Sequence, residues 1–278
     1  MSGLVFAAIA PHGSIAIDEA CEPHERGLAT ATQDAFRELG RRFARAQPET
    51  TIVLTPHNVH VGGAFAVIVA AHLHGSLSEW TTQPIELECA VDRALAVASI
   101  IALVDADLPV VGVSFGGNDP EEAVAPMDWG TLIPLWYMGG RGERPVPTVV
   151  VSPARDLPLR EHQQAGAALA RAAAASGKRV ALIASADHGH AHDPNGPYGY
   201  DDASKRYDDQ VVALVREGRL DELATWDPDF VEQAKADSFW QLLMLDGALA
   251  DRDGWRGELL SYEAPTYFGM LCAAYERE

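Results

Sequence analysis

The chain is poor in positive charge. Its 278 residues carry 21 Lys and Arg against 40 Asp and Glu, a formal net charge of −19. A surface this acidic repels phosphate backbones, which excludes nucleic acid as the expected partner. It equally excludes docking on an anionic membrane through a basic face. Long apolar runs are missing too. The longest, residues 94–104, falls short of the roughly 18–20 residues that a spanning helix needs. The segment opening Met1-Ser2-Gly3-Leu4 has no basic region, and its apolar stretch soon meets Pro11 and His12, so it is read as a first strand and not a signal peptide. Cysteine is scarce: Cys21, Cys89 and Cys272 are far apart, odd in number, and form no CxxC pair. Neither a disulfide framework nor a thiolate zinc site is indicated, and three reduced cysteines suit a cytoplasmic protein. No HExxH, P-loop, dinucleotide fingerprint or G-x-S-x-G elbow occurs. The run His188-Gly-His190-Ala-His192-Asp193 misses the H-x-H-x-D-H order of zinc hydrolases.

What is present is enough apolar material for a core, 47% of residues. Short apolar runs at 4–10, 51–55, 64–71, 110–115, 148–152 and 180–185 are expected strands. Helical stretches are expected at 30–46, 88–104, 130–138 and 157–176, the last closed by Gly177. Residues 201–249 read as helices only, and 259–275 as strand or helix. No Pro/Gly/Ser linker divides the chain. The expectation is an α/β fold: one domain over residues 1–278, a mixed central sheet, and helices on both of its faces. Strands 51–55 and 64–71 are expected to pair as a hairpin.

Ten histidines occur, and they are placed unevenly. His12 follows the first strand. His57 and His60 follow the second. His188, His190 and His192 follow the strand at 180–185. Ligands in open α/β sheets bind beyond the carboxyl ends of strands. Three strands therefore deliver imidazoles to one edge, provided they are parallel neighbours. Imidazoles suit a borderline metal, and two of them with one carboxylate leave three coordination positions open. A further histidine would serve as acid–base catalyst near neutral pH. Asp187 is placed to orient a histidine, as carboxylates behind metal ligands do. His24, His72, His74 and His162 are read as structural.

Five segments occur in a telling order: Ala10-Pro11-His12-Gly13-Ser14, Thr55-Pro56-His57, Asp128-Trp129-Gly130-Thr131-Leu132-Ile133-Pro134-Leu135, Ser185-Ala186-Asp187-His188-Gly189-His190, and Tyr262-Glu263-Ala264-Pro265. Together they resemble the class III extradiol ring-cleavage dioxygenases, of the protocatechuate 4,5-dioxygenase catalytic-subunit type, over about residues 3–275. The resemblance implies a non-haem Fe(II) site of His12, His57 and Glu263, open to substitution by Zn or Mn. It implies an acid–base histidine after the late strand. Counting from Ser185 this is His190, the preferred assignment; counting back from the Asp-Pro pair it is His192, and His188 is a third candidate. Where many members carry D-H-G, this chain has Trp129, and an indole cannot exchange a proton near neutral pH. His60, Trp129 and Tyr262 are expected to meet substrate.

The function so implied is insertion of O2 into the ring of a small catechol- or aminophenol-type substrate, in aromatic catabolism, by a homo-oligomer in the cytoplasm. Two alternatives use the same fold: a metal-dependent hydrolase at the same site, and a metal-binding or non-catalytic protein like the Memo family.

Overall fold

The computed structural model describes residues 2–250 and 254–277. In chain order its elements are β1 (Gly3–Ala10), α1 (Thr30–Ala46), β2 (Thr50–Leu54), β3 (Phe65–Ile68), β4 (His72–Ser76), β5 (Glu86–Ala90), α2 (Arg93–Val104), β6 (Val110–Val113), β7 (Val124–Pro126), α3 (Trp129–Tyr137), β8 (Thr148–Ser152), α4 (Leu159–Ala175), β9 (Arg179–Ser185), α5 (Asp202–Glu217), α6 (Pro228–Gln233), α7 (Phe239–Ala248), β10 (Trp255–Glu263) and β11 (Met270–Arg277).

Eight strands form one mixed sheet in the order β10-β11-β1-β9-β2-β8-β3-β6. Its centre, β1-β9-β2-β8, is parallel throughout. The central strands read as nearly unbroken apolar runs, because both of their faces are covered by helices. On one side α1 and α3 pack together; on the other α2, α4 and α7 pack in succession. Helix α1 turns Ala35, Phe36, Leu39 and Phe43 into the core. The fold is therefore a single α/β domain with a mixed central sheet flanked by helices.

Several elements differ from expectation for identifiable reasons. The strand at 64–71 does not form a hairpin with 51–55: β3 pairs antiparallel with β8 and parallel with β6. The stretch 88–104 divides into β5 and α2, where Asp92 caps the helix by accepting from the Leu95 backbone N–H at 3.2 Å. His72 and His74 lie on β4, in a second, three-stranded sheet ordered β5-β4-β7. The C-terminal stretch returns as the antiparallel pair β10 and β11.

Helices α4 and α7 approach until their backbones touch. A Cβ on Gly166 would lie 1.8 Å from the Met244 carbonyl oxygen, and one on Gly247 would lie 1.8 Å from that of Gln163. Elsewhere in a helix, Gly→Ala stabilises by about 1 kcal/mol through lower chain entropy. Here the added methyl meets backbone on the facing helix, which cannot rotate away. Gly247→Ala is expected to lower unfolding stability by about 1–3 kcal/mol, as overpacked cores do, measured by urea denaturation. A more stable variant would show that the crossing can relax.

Candidate metal centre

Because β1, β9 and β2 are adjacent and parallel, their carboxyl ends lie side by side. His12 leaves β1 two residues beyond its end, and His57 leaves β2 three residues beyond. Their Nε2 atoms face each other at 3.0 Å. The third member is Asp237, on the short segment that enters α7. Its Oδ2 lies 2.7 Å from His57 Nε2 and 3.5 Å from His12 Nε2. Among the described residues, these three form the group of His, Cys, Asp and Glu side chains that could hold a metal ion.

Local chemistry fixes each member. The His12 backbone N–H donates to Asp187 Oδ1 at 2.8 Å, and its Nδ1 meets Ser185 Oγ at 2.9 Å, which leaves Nε2 aimed at the centre. Asp128 ties the β2 end to α3. It accepts from the Thr131 backbone N–H, Thr55 Oγ1 and Asn58 Nδ2 at 3.0, 2.7 and 2.8 Å. Gly130 is required beneath it, since a Cβ there would stand 2.5 Å from Thr55 Oγ1. Trp129, next in line, stacks on the His57 ring at 4.2 Å. Asp237 is tied to the sheet through Gln241 on α7, whose Nε2 donates to the carbonyls of both Asp237 and Ser185 at 2.7 and 3.0 Å.

Burial alone would raise the Asp237 carboxyl, but hydrogen bonds from His12 and His57 outweigh it and hold the group well below the usual carboxylate range. Burial likewise works to lower His12, while the carboxylates of Asp187, Asp237 and Asp128 prevail and raise it above its ordinary value.

The donor set suits a divalent ion. Two ligands bound at about 2.1 Å and subtending 90–109° stand roughly 3.0–3.4 Å apart, close to the spacings found here. Two imidazoles and one carboxylate converging from one side also match the arrangement that leaves three positions open.

Glu263 lies elsewhere. Its Oε1 accepts from the Thr32 backbone N–H at 2.7 Å, where it satisfies an otherwise unpaired donor in the first turn of α1. That helix has no side-chain cap at its own N-terminus, so a carboxylate from the end of β10 does the work. Asp237 does not stand out in the sequence, because it follows no strand and lies in a stretch that reads as helix throughout. The available signal was a lone carboxylate directly before the apolar run 238–249.

The three late histidines part company. His190 lines two cavities that meet at the centre. Its Nδ1 lies 2.6 Å from the His188 carbonyl oxygen; a carbonyl only accepts, so Nδ1 carries the proton and Nε2 is free to accept one. His188 is fully buried and bonds Ser238 Oγ through Nδ1 at 2.9 Å. His192 Nε2 bonds Asp208 Oδ2 at 2.8 Å. Tyr262 donates to the same oxygen at 2.6 Å, and the Gly189 N–H donates to Oδ1 at 2.8 Å. His192 and Tyr262 thus brace the loop that presents His190 and line neither of the two cavities. His60 is exposed and lines neither.

The first cavity, about 390 Å³, has aromatic walls. Trp129 and the edge-on Trp80 form one side. His190, stacked on Phe268 at 5.4 Å, and Tyr198 form the other. Gly13 admits Phe268, whose ring would stand 2.5 Å from any Cβ there. Asp187 joins the lining beside His12. The second cavity, about 860 Å³, is lined by Arg155, Asp237 and Trp240 together with His57 and His190.

The chain is similar to known proteins in three ways. It is 22% identical over 254 residues to Protein CA_C1420 of Clostridium acetobutylicum, covering 91% of this chain and 53% of that protein, so it spans about half the length of that curated relative. Its fold matches the crystal structure of uncharacterized protein JW3007 from Escherichia coli K12 with a TM-score of 0.62 at 16% identity, over 97% of this chain and 99% of that one. The family model for the catalytic LigB subunit of aromatic ring-opening dioxygenase matches residues 6–271. With the model spanning nearly the whole chain, the protein belongs to the LigB family of aromatic ring-opening dioxygenase catalytic subunits.

Proposed function

We propose that this single catalytic domain is a non-haem Fe(II)-dependent extradiol dioxygenase acting on a small catechol- or aminophenol-type ring. The observation that carries the proposal is the convergence of His12, His57 and Asp237 beneath an aromatic-walled cavity that also contains the free Nε2 of His190. His12, His57 and Asp237 would hold the metal, and Glu263 would not. When bound, the ion supplies Lewis acidity for the ring oxygens and a route for electrons between ring and O2.

The rest falls to side chains. Trp129 and Trp80 give a flat ring one aromatic wall, and Phe268 and Tyr198 give it the other. His190 Nε2, with Nδ1 pinned on a carbonyl, accepts a proton from a substrate hydroxyl. Asp208 holds the loop carrying His190, so the base stays aimed at the cavity. Trp129 stacks but moves no proton, which leaves His190 as the acid–base group.

The test is anaerobic loading with Fe(II), followed by O2 uptake and the appearance of coloured ring-fission product across catechols and aminophenols. His190→Gln is expected to lower kcat by about 10²–10⁴-fold with metal affinity unchanged. Full metal binding with no turnover on any such ring would refute the reading and favour a hydrolase or a non-catalytic relative.

A paired comparison decides the carboxylate. Asp237→Ala is expected to abolish tight metal binding. Glu263→Ala is expected to keep it and to lose about 0.5–2 kcal/mol of stability, as other lost helix caps do, read from urea unfolding. The reverse pattern would return Glu263 to the metal.

Metal binding must also displace a proton. The His12 pKa is raised in the folded protein, so His12 is protonated below that value and has to lose its proton to coordinate. Apparent Zn(II) affinity is therefore expected to fall roughly tenfold per pH unit below the raised pKa and to level off above it. Calorimetry in buffers of different ionisation enthalpy counts the protons released. No release at pH 6 would contradict the assignment of His12.

A further inference from the structure

We propose that Arg155 is a positioning residue for the metal-binding carboxylate: it occupies Asp237 Oδ1 so that only Oδ2 is offered to the ion. The inference rests on the metal-site reading above and concerns a residue outside the triad. Arg155 follows β8, the strand beside β2, by three residues, so the sheet topology that delivers His57 delivers Arg155 next to it. Its Nη2 donates to Asp237 Oδ1. The other oxygen of the same carboxylate faces the two imidazole nitrogens.

The guanidinium is held from a second direction. Its Cζ lies 4.6 Å above the Trp240 ring, and Trp240 stands three residues after Asp237 in the same segment. Both contacts of Arg155 thus fall on one short stretch, at its carboxylate and on the first turn of α7. Among the described residues, no other hydrogen bond reaches Oδ1.

This arrangement has a chemical consequence. A carboxylate with both oxygens free can rotate and bind an ion through both, which uses one more coordination position. A charge-assisted bond to Oδ1 opposes that rotation. It keeps the two-imidazole, one-oxygen set at three donors and leaves room for a chelating substrate beside O2. The cation also offsets the charge of the buried carboxylate.

The test measures Zn(II) affinity by competition with a chromophoric chelator, in the unsubstituted protein and in Arg155→Met, Arg155→Lys and His57→Ala. Met keeps an unbranched apolar side chain but removes the charge and the donor. Arg155→Met is expected to bind about 10–100-fold more weakly, as loss of a hydrogen-bond partner behind a metal ligand does elsewhere. Arg155→Lys is expected to recover part of that loss. The Arg155 side chain is 42% exposed, so both variants are expected to fold, with far-UV circular dichroism as the check. Affinity lost in His57→Ala but unchanged in Arg155→Met overturns the role of Arg155 alone. Arg155→Lys binding no more tightly than Arg155→Met overturns it as well, because the loss would then owe nothing to a cationic donor. Affinity unchanged in both His57→Ala and Arg155→Met overturns the metal site together with this inference.

Discussion

A carboxylate taken out of water must find partners, and much of this site follows from how Asp237 finds its own. Its partners come from three parallel strands: His12 after β1, His57 after β2, and Arg155 after β8. The segment that brings the carboxylate belongs to none of those strands. It is carried by α7, which is seated on α4 at a crossing that only paired glycines allow. Strand order sets where the positive and imidazole groups stand, and one helix crossing sets where the negative group stands. The carboxylate joins the two systems, and Gln241 reinforces the joint by bonding the carbonyls of Asp237 and Ser185 together.

The histidines at the strand ends are legible from sequence because they depend on local chemistry. Apolar runs ending in Pro-His or in a His-rich loop announce an edge that carries imidazoles, and the parallel order β1-β9-β2 makes those edges adjacent. The same rule, applied to charge as well as to histidine, reaches Arg155 and Asp156 beyond β8. The carboxylate was not legible. Asp237 stands just before a helix and Glu263 at the end of a strand, and nothing in their sequence neighbours tells a candidate metal ligand from a helix cap. Only the tertiary path decides, by placing the Thr32 N–H beside Glu263 and two imidazoles beside Asp237.

The loop after β9 shows a subtler limit. His188, His190 and His192 alternate, and in an extended chain alternate side chains share one face. They do not share one here. His188 turns into the core against Ser238, His190 faces the cavities, and His192 meets Asp208. Backbone bonds from His188, His190 and His192 to Gly269, Ala234 and Tyr267 bend the segment between two neighbouring stretches of chain. Periodicity counts three candidate bases, but the long-range bonds turn only His190 of the three toward the cavities.

That assignment matters because of Trp129. The titratable groups lining the aromatic cavity are His12, His57, Asp187, Glu25 and His190, with the phenols of Tyr198 and Tyr267. Two of these imidazoles point their free nitrogens at Asp237. Asp187 accepts from the His12 backbone, and burial pushes the Tyr267 phenol upward, away from neutral pH. An indole in the remaining wall adds stacking area and one N–H donor but no proton exchange. On the proposed reading, proton transfer falls to the His190 imidazole, whose tautomer is set by one carbonyl and whose loop is braced by one buried aspartate. The net charge of −19 bears little on this, since the groups nearest the site lie within a few ångströms of one another, where their mutual interactions outweigh those with distant surface charges screened by salt.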